Sequence, residues 1–371
     1  MKPFDSAQRR LFGSAARAEP LPEAALGALL GRALWPRLAV GLAALLGVAL
    51  LGTAIGPVDI PADAVARIIL SRLPGVSLAD SVPQSWRDIV WEIRLPRVVI
   101  AGLVGATLAF SGATYQAVFR NPLADPYLIG VAAGAGLGAT AVIVSPLDYT
   151  LGGLSLVPLA AFGGGLTAVS LAYALARVGR TVPTVTLILA GVAISSIATS
   201  ATTFLMISHN ERVLTTLTWL LGGFNLSEWS KLWWVLPYVL PAAAIILLYG
   251  RILNVLQLDE EQAQQLGVNV ERVKLLLLGA ASLAAAAAVS VSGLIGFVGL
   301  IVPHAVRLLW GPDYRQLLPM SMILGAAFLI VADLLARTVN SPSEIPVGII
   351  TAFCGAPFFL YLLRMRQRAV F

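Results

Sequence analysis

The sequence predicts an all-α polytopic membrane protein of about ten transmembrane helices, and three observations predict it. Of the 371 residues, 58% are hydrophobic and 12% are charged, where soluble domains carry about a quarter charged residues. Mean hydropathy is +0.85. Several windows hold about 20 residues with few or no charges, enough to cross about 30 Å of hydrocarbon. The clearest are 38–56, 127–147, 154–176, 185–207, 232–250, 275–302 and 345–363. Helical form follows because lipid leaves backbone N–H and C=O groups no partner outside the segment.

Residues 1–35 carry Lys2, Arg9, Arg10, Arg17 and Arg32 without an early apolar core, so they read as a cytoplasmic tail and not as a cleaved signal. Helices are expected at 36–56, 97–119, 127–147, 154–176, 185–207, 232–253, 273–292, 294–310, 316–336 and 345–364, with a short cytoplasmic tail over 365–371. Glycines such as Gly102, Gly105, Gly134, Gly138 and Gly163 to Gly165 suit close helix contact in lipid. Between the first two helices, 57–96 reads as an external segment with surface helices over Pro61 to Leu73 and Trp86 to Ile93. Residues 257–272 are the most polar internal stretch. Asp259, Glu260 and Glu261 sit where a helix start favours carboxylates, and Gly267 is placed to end that helix. That stretch is either a capped loop helix or a docking element for a cytoplasmic partner.

Basic residues set the orientation. With the N-terminus inside, the cytoplasmic side collects roughly twice as many Lys and Arg as the outside, which places both termini in the cytoplasm. A faint inverted repeat accompanies this topology: Ser111-Gly112 precedes Pro122 at the spacing by which Ser292-Gly293 precedes Pro303.

Absences narrow the chemistry. The sequence pI of 9.8 reflects arginines between apolar segments, with no basic run interleaved by aromatics, which argues against nucleic acid as a partner. None of the three lysines follows a glycine, so there is no P-loop, and an ATP-driven mechanism needs a separate ATPase chain. Neither a G-x-S-x-G elbow nor an H-E-x-x-H motif occurs. Cys354 reads as a small buried side chain. Asp125, Asp333 and Glu344 fall near helix ends, and Asp333 is spaced to pair with Arg337, so no ion-coupling site stands out for a secondary carrier.

Three stretches carry a resemblance. They are WEIRLPRVVIAGLVGATLAFSGATYQAVFRNPLADPYLIGVAAGAGLGA at 91–139, QQLGVNVERVK with SGLIGFVGLIVPHAVRLLWGPDYR at 264–315, and ADLLARTV with EIPVGIITAFCGAPFFLYLL at 332–363. Together they resemble the permease family of bacterial ABC importers for ferric siderophores, haem and cobalamin, from about residue 36 to 364. The tail before residue 35 and the polar residues Asn340 to Ser343 look additional.

The resemblance implies a permease homodimer in the bacterial inner membrane, with two ATPase subunits below and a periplasmic binding protein above. It implies no cofactor on this chain; ATP and magnesium belong to the ATPase. Arg94, Arg97 and Arg337 match basic positions that accept glutamates of the binding protein; the alternative is that they hold helix ends or pair with Asp333. The segment with Asp259, Glu260, Gln264, Leu266 and Gly267 matches the coupling helices. Asn121, Leu123 and Thr184 match the cytoplasmic gate loops, although the second loop, RTVPTV, departs from the pattern. His304, beside Pro303 and Arg307, reads as structural.

The pathway is expected along Thr199, Thr202, Thr203, Phe204 and Met206, weakly polar walls that let a bulky chelate pass without sticking. Haem is favoured as cargo over ferric siderophore, then cobalamin; His209 near the outer end of the fifth helix could briefly meet haem iron, but a lone histidine at an interface is more often just solvated.

Overall fold

A computed structural model describes residues 23–56, 58–71, 82–146, 150–151, 154–179, 181–258 and 260–368. The expectations for residues 1–22, for 369–371 and for Asp259 lie outside these. Residues 41–371 form one compact unit and 1–40 another.

Helices α1 (Glu23–Ala54) and α2 (Ala62–Leu70) come first, followed by α3 (Gln84–Asp88). A π-helical stretch, Ile89–Arg94, leads from α3 into α4 (Leu95–Val118). Then come α5 (Val131–Val144), α6 (Leu156–Ala176), α7 (Thr184–Ser208) and the short α8 (Val213–Leu220). The chain continues through α9 (Trp229–Leu248), α10 (Gly250–Val255), α11 (Glu260–Gln265) and α12 (Val270–Ser292). It closes with α13 (Val298–Trp310), α14 (Tyr314–Thr338) and α15 (Val347–Arg368). Among the described residues, β structure is confined to an antiparallel pairing of Thr150–Leu151 with Leu154–Ser155.

Seven helices are long and apolar enough to span a bilayer, and the shorter apolar helices Val131–Val144, Val298–Trp310 and Val347–Tyr361 supply the remaining expected segments. Every transmembrane segment expected from the sequence has a counterpart, as have both surface helices of the 57–96 segment. The additional helix α8 is too short to announce itself by hydropathy.

Helices α4 and α12 form the centre, with 83% and 78% of their most apolar windows buried. Small residues allow this. A Cβ at Gly105 would overlap the Gly325 carbonyl of α14, and one at Gly112 would overlap Gly299 of α13. Ala284 to Ala288 of α12 are fully enclosed. Backbones in lipid gain by such close approach because no hydrophobic effect drives helices together there. The perimeter keeps large apolar side chains outward: Val185 and Leu189 of α7 and Phe353 of α15 are 63–76% exposed.

Three expectations need correction. Cys354 is exposed on the outer face of α15 rather than buried. The repeated Ser-Gly spacing has no common local structure, since Ser111-Gly112 lies inside α4 whereas Ser292-Gly293 ends α12. Helix α13 starts at Val298, not 294, because Gly293 (φ +68) and Phe297 (φ +70) break the chain between the two helices.

Candidate functional site

Three groups of residues lie along the bundle: a buried arginine cluster at one end, a cavity against α7, and a polar segment at the other end.

At the first end, α1 finishes with carbonyls that lack intrahelical partners. Arginines fill that gap. Arg94 donates to the carbonyls of Thr53 (3.1 Å) and Ala54 (2.6 Å) and to that of Val58. Arg337 donates to Ile55 at 3.0 Å and also to Gly52. Arg97 instead grips two carboxylates. Its Nε and Nη2 reach Asp333 at 3.0 and 2.8 Å, and its Nη1 and Nη2 reach Glu344 at 2.9 and 3.0 Å. Arg337 lies 3.5 Å from Asp333, so the expected i,i+4 pair exists but is the looser of the two. The three guanidiniums face the carboxylates of Asp333 and Glu344, with Asp59 also near Arg94, and the negative end of the α1 dipole adds to the balance.

The docking expectation assumed exposed charges. Arg94, Arg97 and Arg337 are only 4%, 8% and 4% exposed, so the surface at this end is shaped by what they hold. Glu344, with 31% of its side chain exposed, is the part of the cluster that reaches solvent.

Along the exposed face of α7 lies an open groove of about 1000 Å³, where Val192, Phe204 and Ile207 are 51–70% exposed. Val192, Ser195, Ser196, Thr199, Thr203 and Phe204 line it at spacings of three and four, one face of a helix. The hydroxyls of Ser196 and Thr203 bond back to carbonyls four residues earlier, at 2.9 Å each, which leaves a wall of muted polarity. Opposite stand Phe297, Gly296 and Leu300, at the break between α12 and α13, together with Asp125 and Tyr127. Irregular backbone at membrane depth is tolerated where it lines a cavity or is buried in protein. Here its groups find partners: Tyr127 Oη donates to the Ile295 carbonyl at 3.0 Å, and Gly223 N–H donates to the Ser292 carbonyl at 2.8 Å. Asp125 caps the turn Pro126–Ile129 by accepting from Tyr127 N–H.

Of the expected pathway residues, Thr199, Thr203 and Phe204 line this cavity. Thr202 does not: it is buried, with its hydroxyl on the Ala198 carbonyl. Met206 is also absent from the lining. Ser195, Ser196, Phe297, Asp125 and Tyr127 were missed, although the i, i+4 stripe of small polar residues on α7 was there to be read. His209 lies outside the lining, with Nδ1 3.1 Å from the Leu205 carbonyl. His304 packs against the Phe358 ring at 6.1 Å. Among the described residues, no group of three His, Cys, Asp or Glu side chains could hold a metal.

At the far end, α11 and the turn after it match the expectation. Gly267 ends the helix with φ +82, and Gln264, Leu266 and Gly267 are exposed. Asn121 shapes its own loop by accepting from Leu123 N–H at 2.9 Å. Thr184 opens α7.

The comparisons agree with this arrangement. The model of the FecCD transport family matches residues 44–365. The chain is 49% identical to the cobalamin import system permease protein BtuC of Halobacterium salinarum, over 77% of this chain and 76% of that protein. It is 42% identical to the hemin transport system permease protein HmuU of Yersinia pestis, over 76% and 86%. A solved metal-chelate type ABC transporter in an inward-facing conformation superposes with a TM-score of 0.77 at 30% identity, covering 89% of this chain and 99% of that one. With a family match over most of its length and the fold to go with it, the chain belongs to the FecCD transport family, as a multi-pass permease subunit of an ABC importer and not itself an enzyme.

Proposed function

We propose that two copies of this chain form the pathway of an importer that carries a large metal chelate from periplasm to cytoplasm, driven by two separate ATPase subunits. The cavity along α7 carries the reading. Its volume is at the upper end of the usual range for ligand sites, the Ser196 and Thr203 hydroxyls are turned back onto the helix, and Asp125 is the carboxylate in its lining. Such a wall lets a bulky ligand pass without a tight stop. In this reading the Arg97 end faces the periplasm of a bacterial inner membrane, and α11 and both termini face the cytoplasm. The arginines of this end are the groups that would meet acidic lobes of a binding protein, and a direct grip on Arg97 requires displacing Glu344. The outward apolar faces suit lipid and the second copy.

For the cargo, cobalamin is supported by the 49% identical relative and haem by the 42% identical one. His209 lies outside the cavity lining and adds nothing to the choice between them. An ion-coupled carrier gains no support either, with Asp333 and Glu344 committed to Arg97.

The test is uptake into proteoliposomes holding this chain, its ATPase and its binding protein, with ATP inside. Cobalamin, haem and a ferric siderophore are offered in turn. ATP-dependent entry of one cargo is expected; entry of a cargo without any ATPase would overturn the reading.

A further inference from the structure

We propose that Glu271 is a positioning residue that ties the polar segment 256–272 to the loop opening α7, so that displacement of that segment moves the cavity wall. The inference rests on the reading above that α11 meets the ATPase.

Glu271 lies in the first turn of α12, six residues after α11 ends. Its Oε2 accepts from the backbone N–H of Val182 at 3.2 Å. Val182 is buried and lies two residues before Thr184, the first residue of α7. No side chain caps that helix start, so a carboxylate beside it also meets the positive end of the α7 dipole. Lys274, 9% exposed, holds Glu271 from the other side at 3.8 Å. Thr184 and Leu187 of α7 share the lining of one small void with Glu271 and Lys274 of α12.

The other end of the same segment is tied as well. Gln257 Nε2 donates to the Ala117 carbonyl at the end of α4, and Arg120 Nη1 donates to the Leu258 carbonyl, each at 3.2 Å. The segment is therefore fastened to the loop after α4 at its entry and to the loop before α7 at its exit. Leu266, 64% exposed, is left outward for a partner. Among the described residues of the RTVPTV loop, Thr181 pairs with Val178 and Val182 N–H bonds to Glu271, and α7 carries the hydroxyl face of the cavity.

The test uses the full complex in inside-out vesicles, with Thr199→Cys in a Cys354→Ser background as reporter. The rate of modification by a membrane-impermeant maleimide is read with and without magnesium-ATP, alongside ATP hydrolysis. Glu271→Ala should shrink the ATP-dependent change in labelling by about fivefold, the factor that goes with losing one ordinary hydrogen bond. Glu271→Gln keeps an acceptor oxygen and should restore most of it. Val182→Pro, which deletes the donor N–H, should match Glu271→Ala and serves if that variant does not assemble. Full ATP-dependent labelling in both Glu271→Ala and Val182→Pro would overturn the proposal, and so would a Glu271→Gln variant as defective as Glu271→Ala. A parent complex that neither assembles nor hydrolyses ATP would sink the importer reading itself, and this proposal with it, before any variant is compared.

Discussion

Arg97 and Asp333 stand 236 positions apart in the chain, yet two guanidinium nitrogens of the one sit within 3.0 Å of the carboxylate of the other. The pair joins α4 to α14, with 9% and 1% of the two side chains exposed. Removing one partner leaves a buried charge, at a cost of about 3–5 kcal/mol. Arg97→Ala or Asp333→Ala should therefore lower the detergent-solubilised melting temperature sharply. The double variant should lose less than the sum of the singles, because the charge each single leaves behind is then gone, although Glu344 and Arg337 still lose a partner in it. Additive losses in thermal unfolding would show that the pair does not act as a unit.

Glycines at helix crossings give a sharper contrast. A Cβ at Gly112 would overlap the Gly299 backbone, whereas one at Gly163 meets nothing within 4 Å. Gly112→Ala must push α4 and α13 apart and should cost about 1–3 kcal/mol or more. Gly163→Ala should be neutral or slightly stabilising, since alanine is the better helix former. Expression and melting temperature of the two variants, compared side by side, test this.

Much of this was legible in the sequence because bilayer length and the apolar run speak plainly: each expected transmembrane segment has a helix at its place, although α1 begins at Glu23 rather than 36 and runs through Pro36. The short helix of the polar segment was legible too, since Glu260 and Gly267 are local helix signals. What stayed hidden depended on long-range partners. Arg94, Arg97 and Arg337 look like surface charges until the open end of α1 and the carboxylate of Glu344 are brought to them. Thr202 and Thr203 are adjacent in sequence, and only the rotation of α7 says which one faces the cavity. Phe297 gave no signal, because a non-glycine residue in the left-handed region cannot be read from composition.

Asp313 offers a pH dependence. Burial alone would push its carboxyl up, but hydrogen bonds from the Arg315 side chain, from Asn254 and from the Arg315 N–H outweigh that and hold it below the usual carboxylate range. A depressed folded-state pKa stabilises the fold above the unfolded value, near 3.9, and that share is lost as pH falls through the folded value. With 25% of the Asp313 side chain exposed, the share is modest, about 1 kcal/mol or less. Asp313→Asn should therefore be less stable than the parent at pH 7, and the gap should close as the pH drops below about 4. A gap that widens on acidification would contradict the assignment.

The face of α7 that meets the cavity can be read by single cysteines in a Cys354→Ser background. Thr199 and Thr203 line the cavity, while Thr202 is 6% exposed and bonded to the Ala198 carbonyl at 2.8 Å. Cysteines at 199 and 203 should react with a hydrophilic thiol reagent at rates at least about tenfold above a cysteine at 202, because the nucleophile is the thiolate and burial in apolar surroundings suppresses it. If the cavity is the route of the chelate, Thr203→Trp should cut transport strongly by filling it, while ATP hydrolysis by the complex continues. Equal reactivity at 202 and 203 would mean that α7 is rotated relative to this arrangement, and the pathway would then have to be sought along another face.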